Sequence, residues 1–433
     1  MELTEEFGRY LGQIGESLGR AERKAGLREY CRALMLPLKR KSIEPLAAAI
    51  DPYHVPSLHQ SLHHFVADSP WSDEAVLGAV RSWVLPRMAA QRPGLMFLIA
   101  DDSGMPKQGT HSVGVARQYC GQLGKTANCQ VAVSLSLATV QASLPIAHRL
   151  YLPESWTEDP IRCRTAGVPA EVKFATKPQL SLAQIRAAKQ AGLPGDVVAA
   201  DAAYGDDTDY RDGITALGLL YVVGIKPGTT VWAPGTGPLP PKPWSGRGRK
   251  PTHLRRDETQ RPVSVKELAM SLKPSAYRQL TWREGTNNKL SSRFATVRVR
   301  AAHRDYLGDT PRDEEWLLIE WPKGESEPTK YFLSTLSAAI SRKQLVAAVK
   351  IRWRIERGYQ ELKQEFGLDN FEGRNWRGFH HHATLCIAAY GFLVGERLAH
   401  GQDAKKNSAF RAPPSLPEGY APRGAGSSAT TRR

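Results

Sequence analysis

Leu95-Met96-Phe97-Leu98-Ile99-Ala100-Asp101-Asp102 joins a short, uninterrupted apolar run to two adjacent carboxylates. A run apolar at every position predicts a strand buried on both faces, as inside an α/β sheet, and the pattern places the two acids at its end. Val197-Val198-Ala199-Ala200 repeats the arrangement and ends at Asp201. Between and after these runs, Ser112 to Tyr119 and Gln130 to Ala138 predict strands, the latter alternating Val, Leu and Ser. Ser181-Leu182-Ala183-Gln184 reads as a capping box opening a helix, and Leu219 to Val223 predicts a further strand. The order β-β-β-α-β-α-β predicts an α/β layer with carboxylates at two strand ends.

Outward from this core the rhythm changes. Residues 1–94 predict helices: Leu34, Leu36 and Leu38 lead into Ile43, Leu46 and Ile50, and Ser72-Asp73-Glu74 marks a capped start. The cluster Lys39-Arg40-Lys41 suits either a DNA contact or a solvated helix face. From 226 the pattern breaks at Pro234-Gly235-Thr236-Gly237-Pro238, followed by Arg247, Arg249, Lys250, Arg255 and Arg256. Phe294 to Val299 and Trp316 to Trp321 are strand-like. Helical patterns resume at Ser341 and run to about 400. The expected division is a helical N-terminal DNA-binding domain (1–94), a core in two parts (95–225 and 341–400), a β-rich insertion (226–340) and a disordered basic tail (401–433).

Composition narrows the partner. A chain of 433 residues with a net charge of +16 favours a polyanion, because Lys and Arg contacts to phosphates release counterions. No apolar run approaches the ~20 residues that span a bilayer, and the first residues lack a signal-peptide pattern. Five scattered cysteines without a C-x-x-C pair predict neither a zinc site nor a disulfide framework. A cytoplasmic protein is expected.

Metal-dependent phosphoryl transfer needs carboxylates converging on cations about 4 Å apart, and Mg²⁺ prefers oxygen ligands. Asp101 and Asp201 fit as strand-end donors. A third candidate lies in Val349 to Lys363, which reads as one helix with the apolar stripe Ala348, Ile351, Ile355, Tyr359, Leu362 and Phe366. Arg352, Glu356 and Lys363 fall within an arc of roughly 40° beside that stripe. One carboxylate between two cations suits a metal flanked by phosphates; a surface Arg–Glu pair is the alternative. Gly358 interrupts this helix at a cost of about 1 kcal/mol relative to Ala.

The spacing Arg352-x3-Glu356-x6-Lys363 resembles the third-carboxylate helix of the IS4-like DDE transposases, whose signature begins with a Tyr where this chain has Val349. Asp101 to Lys107 with Ser112 to Tyr119, Asp201-Ala202-Ala203-Tyr204-Gly205, and Gly367 to Trp376 with His380-His381-His382 are similar to the IS701 group of that superfamily. The likeness runs from about 30 to 395. It implies an α/β fold with an RNase H-like catalytic core, a mixed sheet flanked by helices, together with the helical N-terminal domain and the β-rich insertion.

It also implies a transposase that cleaves DNA and transfers strands, using two Mg²⁺ ions (or Mn²⁺) on Asp101, Asp201 and Glu356. Asp102 stays open as the first ligand; Asp101 is favoured as the residue that follows the strand. Arg352 and Lys363 would position phosphates, Lys107, Arg117 and Lys125 would touch DNA backbone, and Trp282 would stack on an extruded base, with core packing as its alternative. The expected partners are the element's terminal inverted repeats and target DNA, bound by a dimer. Two rivals are a catalytically inactive DNA-binding relative and a nuclease without strand transfer.

Two other signals are set aside. Gly121 to Thr126 ends like a phosphate-binding loop but has two residues, not four, between its glycines. His380, His381 and His382 point about 100° apart on a helix and cannot converge on one ion, so a structural or DNA-facing role is expected.

Overall fold

The apolar run does form a strand, but the strand does not stop at the acids. In the computed structural model β1 spans Phe97–Pro106, with Asp101 and Asp102 half-buried in its middle and Ser103 and Met105 buried beyond them. Each acid faces a cation on its own side of the sheet, so β1 continues through them. Residues 3–90, 94–284 and 289–400 are described, in two compact units: 3–90, 98–187 and 352–400 form the first, 94–97 and 188–351 the second. The expected disordered tail lies outside the described residues.

The first unit opens with α1 (Leu3–Gly15), α2 (Ala21–Leu34), α3 (Ile43–Ile50), α4 (Val55–Ala67) and α5 (Asp73–Ala90). The stretch with Leu36 and Leu38 is a break between α2 and α3, not helix. After β1 come β2 (Ala116–Cys120), β3 (Lys125–Ala138) and β4 (Ser143–Leu150), a strand missed in the sequence. One edge of β3 carries β2 along its first half and β4 along its second, both antiparallel; β1 lies on the other edge. The P-loop-like stretch is the β2–β3 hairpin turn. Short α6 (Glu154–Thr157) and α7 (Pro160–Thr165) precede α8 (Lys177–Gln190). Thr176 caps α8: its hydroxyl accepts from Gln179 N, and its own N–H donates to the Gln179 side chain. Ser181 is therefore an interior helix residue, fully buried, and not the cap. The unit closes with α13 (Trp353–Gln364) and α14 (Trp376–Ala399). Helices α2, α4 and α5 pack on α14, which also lies on β4.

The second unit holds β5 (Val197–Ala200), α9 (Ala202–Gly205), α10 (Thr208–Ala216), β6 (Leu220–Ile225), β7 (Thr230–Trp232), β8 (Val263–Ser264), α11 (Val265–Ser271), β9 (Arg278–Glu284), β10 (Lys289–Ala301), β11 (Glu315–Trp321), β12 (Lys330–Ser334) and α12 (Arg342–Lys350). β5 and β6 are parallel; β12, β11 and β10 then add antiparallel, so the sheet is mixed. The expected α/β class with a mixed sheet flanked by helices, as in an RNase H-like fold, is what the chain adopts.

One expected helix is two. α12 ends at Lys350 and α13 begins at Trp353. Ile351 and Arg352 keep helical dihedrals, but Ile351 N bonds Ala348 O and Ile355 N bonds Arg352 O, the tighter i→i+3 pattern. The chain crosses from one unit to the other at this point. The apolar stripe survives the break: all six of its residues are buried.

Candidate active site

Strand alternation sends neighbouring side chains to opposite faces. Asp102 meets Lys177 at the start of α8, with Nζ 2.7 Å from its carboxylate. Asp101 meets Arg352, the N-cap residue of α13, at 3.1 Å, with the two side chains 18% and 22% exposed. The other Asp101 oxygen accepts from Asp102 N at 2.9 Å. Beside it on β3, Ser134 donates to the Asp101 carbonyl at 3.2 Å and accepts from the Tyr359 hydroxyl of α13. Burial, followed in size among the raising effects by the nearby charge of Asp101, lifts the Tyr359 phenol well above its ordinary range, so it stays neutral and keeps donating.

Glu356 stands in the first turn of α13 and is exposed. Lys363, two turns on, donates to the Gly104 carbonyl at 2.8 Å and to Gln122 at 3.1 Å, tying α13 to β1 and to the β2–β3 turn. Gly358 now has a reason: a Cβ there would lie 3.1 Å from the Tyr390 hydroxyl and 3.4 Å from Ser143 Oγ.

Asp201, in the second unit, directly follows β5 and is the N-cap of α9; its Oδ1 accepts from Ala203 N at 2.9 Å. Gly224 of β6 admits this turn, since a Cβ would sit 2.8 Å from Ala202 N.

The remaining expected residues fall in several settings. Lys107 donates to the Phe371 carbonyl at 2.6 Å, and burial lowers its pKa. Burial lowers that of Lys363 as well. Arg117 and Lys125 are exposed on the β2–β3 hairpin. Trp282, on β9, is half-buried against Phe294, with Lys350 Nζ 4.3 Å from its ring. All three α14 histidines are buried: His380 bonds Trp376 O and Leu150 N, His381 stacks on Trp71 at 3.5 Å, and His382 meets the Tyr30 hydroxyl at 2.8 Å. Their role is structural.

Lys177 and Tyr359 were not picked out as site residues. Ser134 left a trace in the Ser-rich alternation of β3, and Tyr359 lay on the predicted stripe; nothing in the sequence links Lys177 to Asp102.

Asp101, Asp102 and Glu356 would offer carboxylate oxygens, the donors a hard divalent cation takes. Among the described residues no three His, Cys, Asp or Glu side chains lie close enough to hold an ion as they stand. Arg352 neutralises Asp101 in this arrangement.

The family model for DDE superfamily endonucleases matches residues 13–289, so the chain belongs to that family. It is also similar to the "Probable transposase for insertion sequence element IS701" of Microchaete diplosiphon, with 30% identity over 190 residues. That match covers 44% of this chain and 45% of the relative, so the chain spans about half the length of the curated relative it matches. The family match takes in Asp101 and Asp201 and stops short of Glu356. No helix among the described residues is long and apolar enough to cross a membrane.

Proposed function

We propose that the protein is a transposase of the IS701 group that cuts the ends of a DNA element and joins them to target DNA. Asp101, Asp201 and Glu356 would hold two Mg²⁺ ions, which, when bound, acidify water and stabilise the leaving oxygen. The phosphodiester at the element end would be hydrolysed, and the freed 3′-hydroxyl would then attack a target phosphodiester, forming a new P–O bond as the target strand's 3′-oxygen leaves. The observation that supports this reading is the Arg352–Asp101 pair, which ties the N-cap of α13, one turn before Glu356, to the carboxylate strand. Arg352 holds the carboxylate in place and positions phosphate, and the neutral Tyr359–Ser134 pair fixes the backbone of Asp101. Terminal inverted repeats are the expected substrate, and two ends held together imply a dimer on DNA.

The test is strand cleavage and joining on a plasmid carrying the flanking inverted repeats in Mg²⁺. Asp101→Asn, Asp201→Asn and Glu356→Gln should each lower cleavage by about 1,000-fold or more, the scale of removing a principal catalytic group. Asp201→Asn is the cleanest of the three, because Asn caps a helix as well as Asp. Full cleavage by the Glu356→Gln protein would refute the assignment. Cut ends without joined product would indicate a nuclease, and no cutting by the wild type an inactive DNA binder.

A further inference from the structure

The stretch Lys242-Pro243-Trp244-Ser245-Gly246-Arg247-Gly248-Arg249-Lys250 belongs to neither the carboxylate strands nor the core. From Pro234 to Arg256 the chain has six Lys and Arg and no acid. The segment is an excursion of the second unit closed at its base by the Leu239–Arg255 bridge. Leu254 is buried, and Arg256 is anchored on Asp305 at 2.6 Å. Beyond that base, every residue from Lys242 to Lys250 is exposed. Among the described residues, Lys242, Arg247, Arg249 and Lys250 have no ion-pair partner. A plain solvated charge run would be shapeless, whereas this tip is folded. The Trp244 indole donates to the Gly248 carbonyl at 3.1 Å, and Gly246 and Gly248 take φ of 84° and 73°. Arg247 thus stands at the apex of a closed turn between two residues without side chains, and open space surrounds both glycines.

We infer that this turn inserts Arg247 and Arg249 into the minor groove of A·T-rich duplex DNA. The minor groove is about 6 Å wide, too narrow for a helix but wide enough for one Arg on a bare backbone. A-tracts narrow it further and deepen the negative potential that draws Arg in. The inference rests on the DNA-processing reading above and adds a second contact, made by residues outside the carboxylate set and selective for groove shape.

The test is fluorescence anisotropy of the full chain with two 20-base-pair duplexes, one an A-tract and one all G·C. The wild type should bind the A-tract about tenfold more tightly, in line with the usual worth of a base-edge contact. Netropsin, which fills A·T minor grooves, should abolish the difference. Arg247→Ala/Arg249→Ala should bind both duplexes equally, with an unchanged melting temperature. Gly246→Ala/Gly248→Ala keeps every charge but thickens the turn, and should also lose the preference while retaining G·C binding. If the wild type binds both duplexes alike, or the Arg variant keeps its preference, the inference is overturned while the transposase reading stands. If the wild type binds neither duplex, both fall.

Discussion

The two helices that end the first unit treat polar side chains in opposite ways. α13 carries Arg352, Glu356 and Lys363 at half-buried or exposed positions, where the two cations meet a carboxylate and a carbonyl. α14 buries three consecutive histidines, each bonded to backbone or to a phenol. Charge is kept where it can act on a ligand and suppressed where it would only be desolvated. On the proposed reading the contrast separates function from architecture within a single unit, and each side of it is open to measurement.

The largest effect belongs to α13. Arg352→Gln should lower strand cleavage by about 100-fold, the scale on which misplaced catalytic groups lose rate, with little change in the denaturation midpoint. Arg352→Lys keeps the charge but not the planar fork and should fall between. Equal losses of activity and stability would make Arg352 an architectural residue like those of α14 and erase the contrast.

The next effect belongs to α14 and to β4 beneath it. Burial holds the imidazoles of His148, His381 and His382 down to about 4 and that of His380 to about 3, against about 6.5 in an unfolded chain. Between those limits the unfolded state binds protons that the folded state refuses, so stability rises with pH across the window. It is complete above about pH 6.5 and lost on acidification toward pH 4. Urea titrations at pH 7.5 and 5.0 should differ by several kcal/mol, since one pKa unit on one ring is worth about 1.4 kcal/mol. His148, stacked on Phe379 and without a hydrogen-bond partner among the described residues, is the ring to remove. His148→Phe should reduce the acid sensitivity by about one proton; an unchanged slope would place the titration elsewhere.

How far this division was legible beforehand depended on whether the signal was local. The α/β class and the buried character of the runs at 97–100 and 197–200 were written in periodicity, because a buried strand must be apolar residue by residue. The structural role of the histidines followed in part from helical geometry. The end of β1 was misread because half-buried Asp pairs look like turn residues until the opposing cations are known, and Lys177 and Arg352 lie 75 and 251 positions away in sequence. The break at Ile351–Arg352 was hidden because i→i+3 and i→i+4 turns use the same residue types and differ only by a small change in ψ. Gly358 looked like a defect for the same reason: its neighbours are Tyr390 and Ser143, far along the chain.

Gly358 is where the two helices meet, and it gives the finest test. Alanine would gain up to about 1 kcal/mol of helix propensity, but its methyl must displace the buried Tyr390 hydroxyl, 3.1 Å away. A packed interior yields little, and overpacking costs typically 1–3 kcal/mol, so Gly358→Ala should be destabilising by about 1 kcal/mol net. Tyr390→Phe removes the obstructing oxygen. In that background the same Gly358→Ala change should become neutral or stabilising, a coupling of about 1 kcal/mol read from a double-mutant cycle. Additive costs would mean that the glycine answers to something other than the tyrosine, with Ser143 Oγ at 3.4 Å the next neighbour.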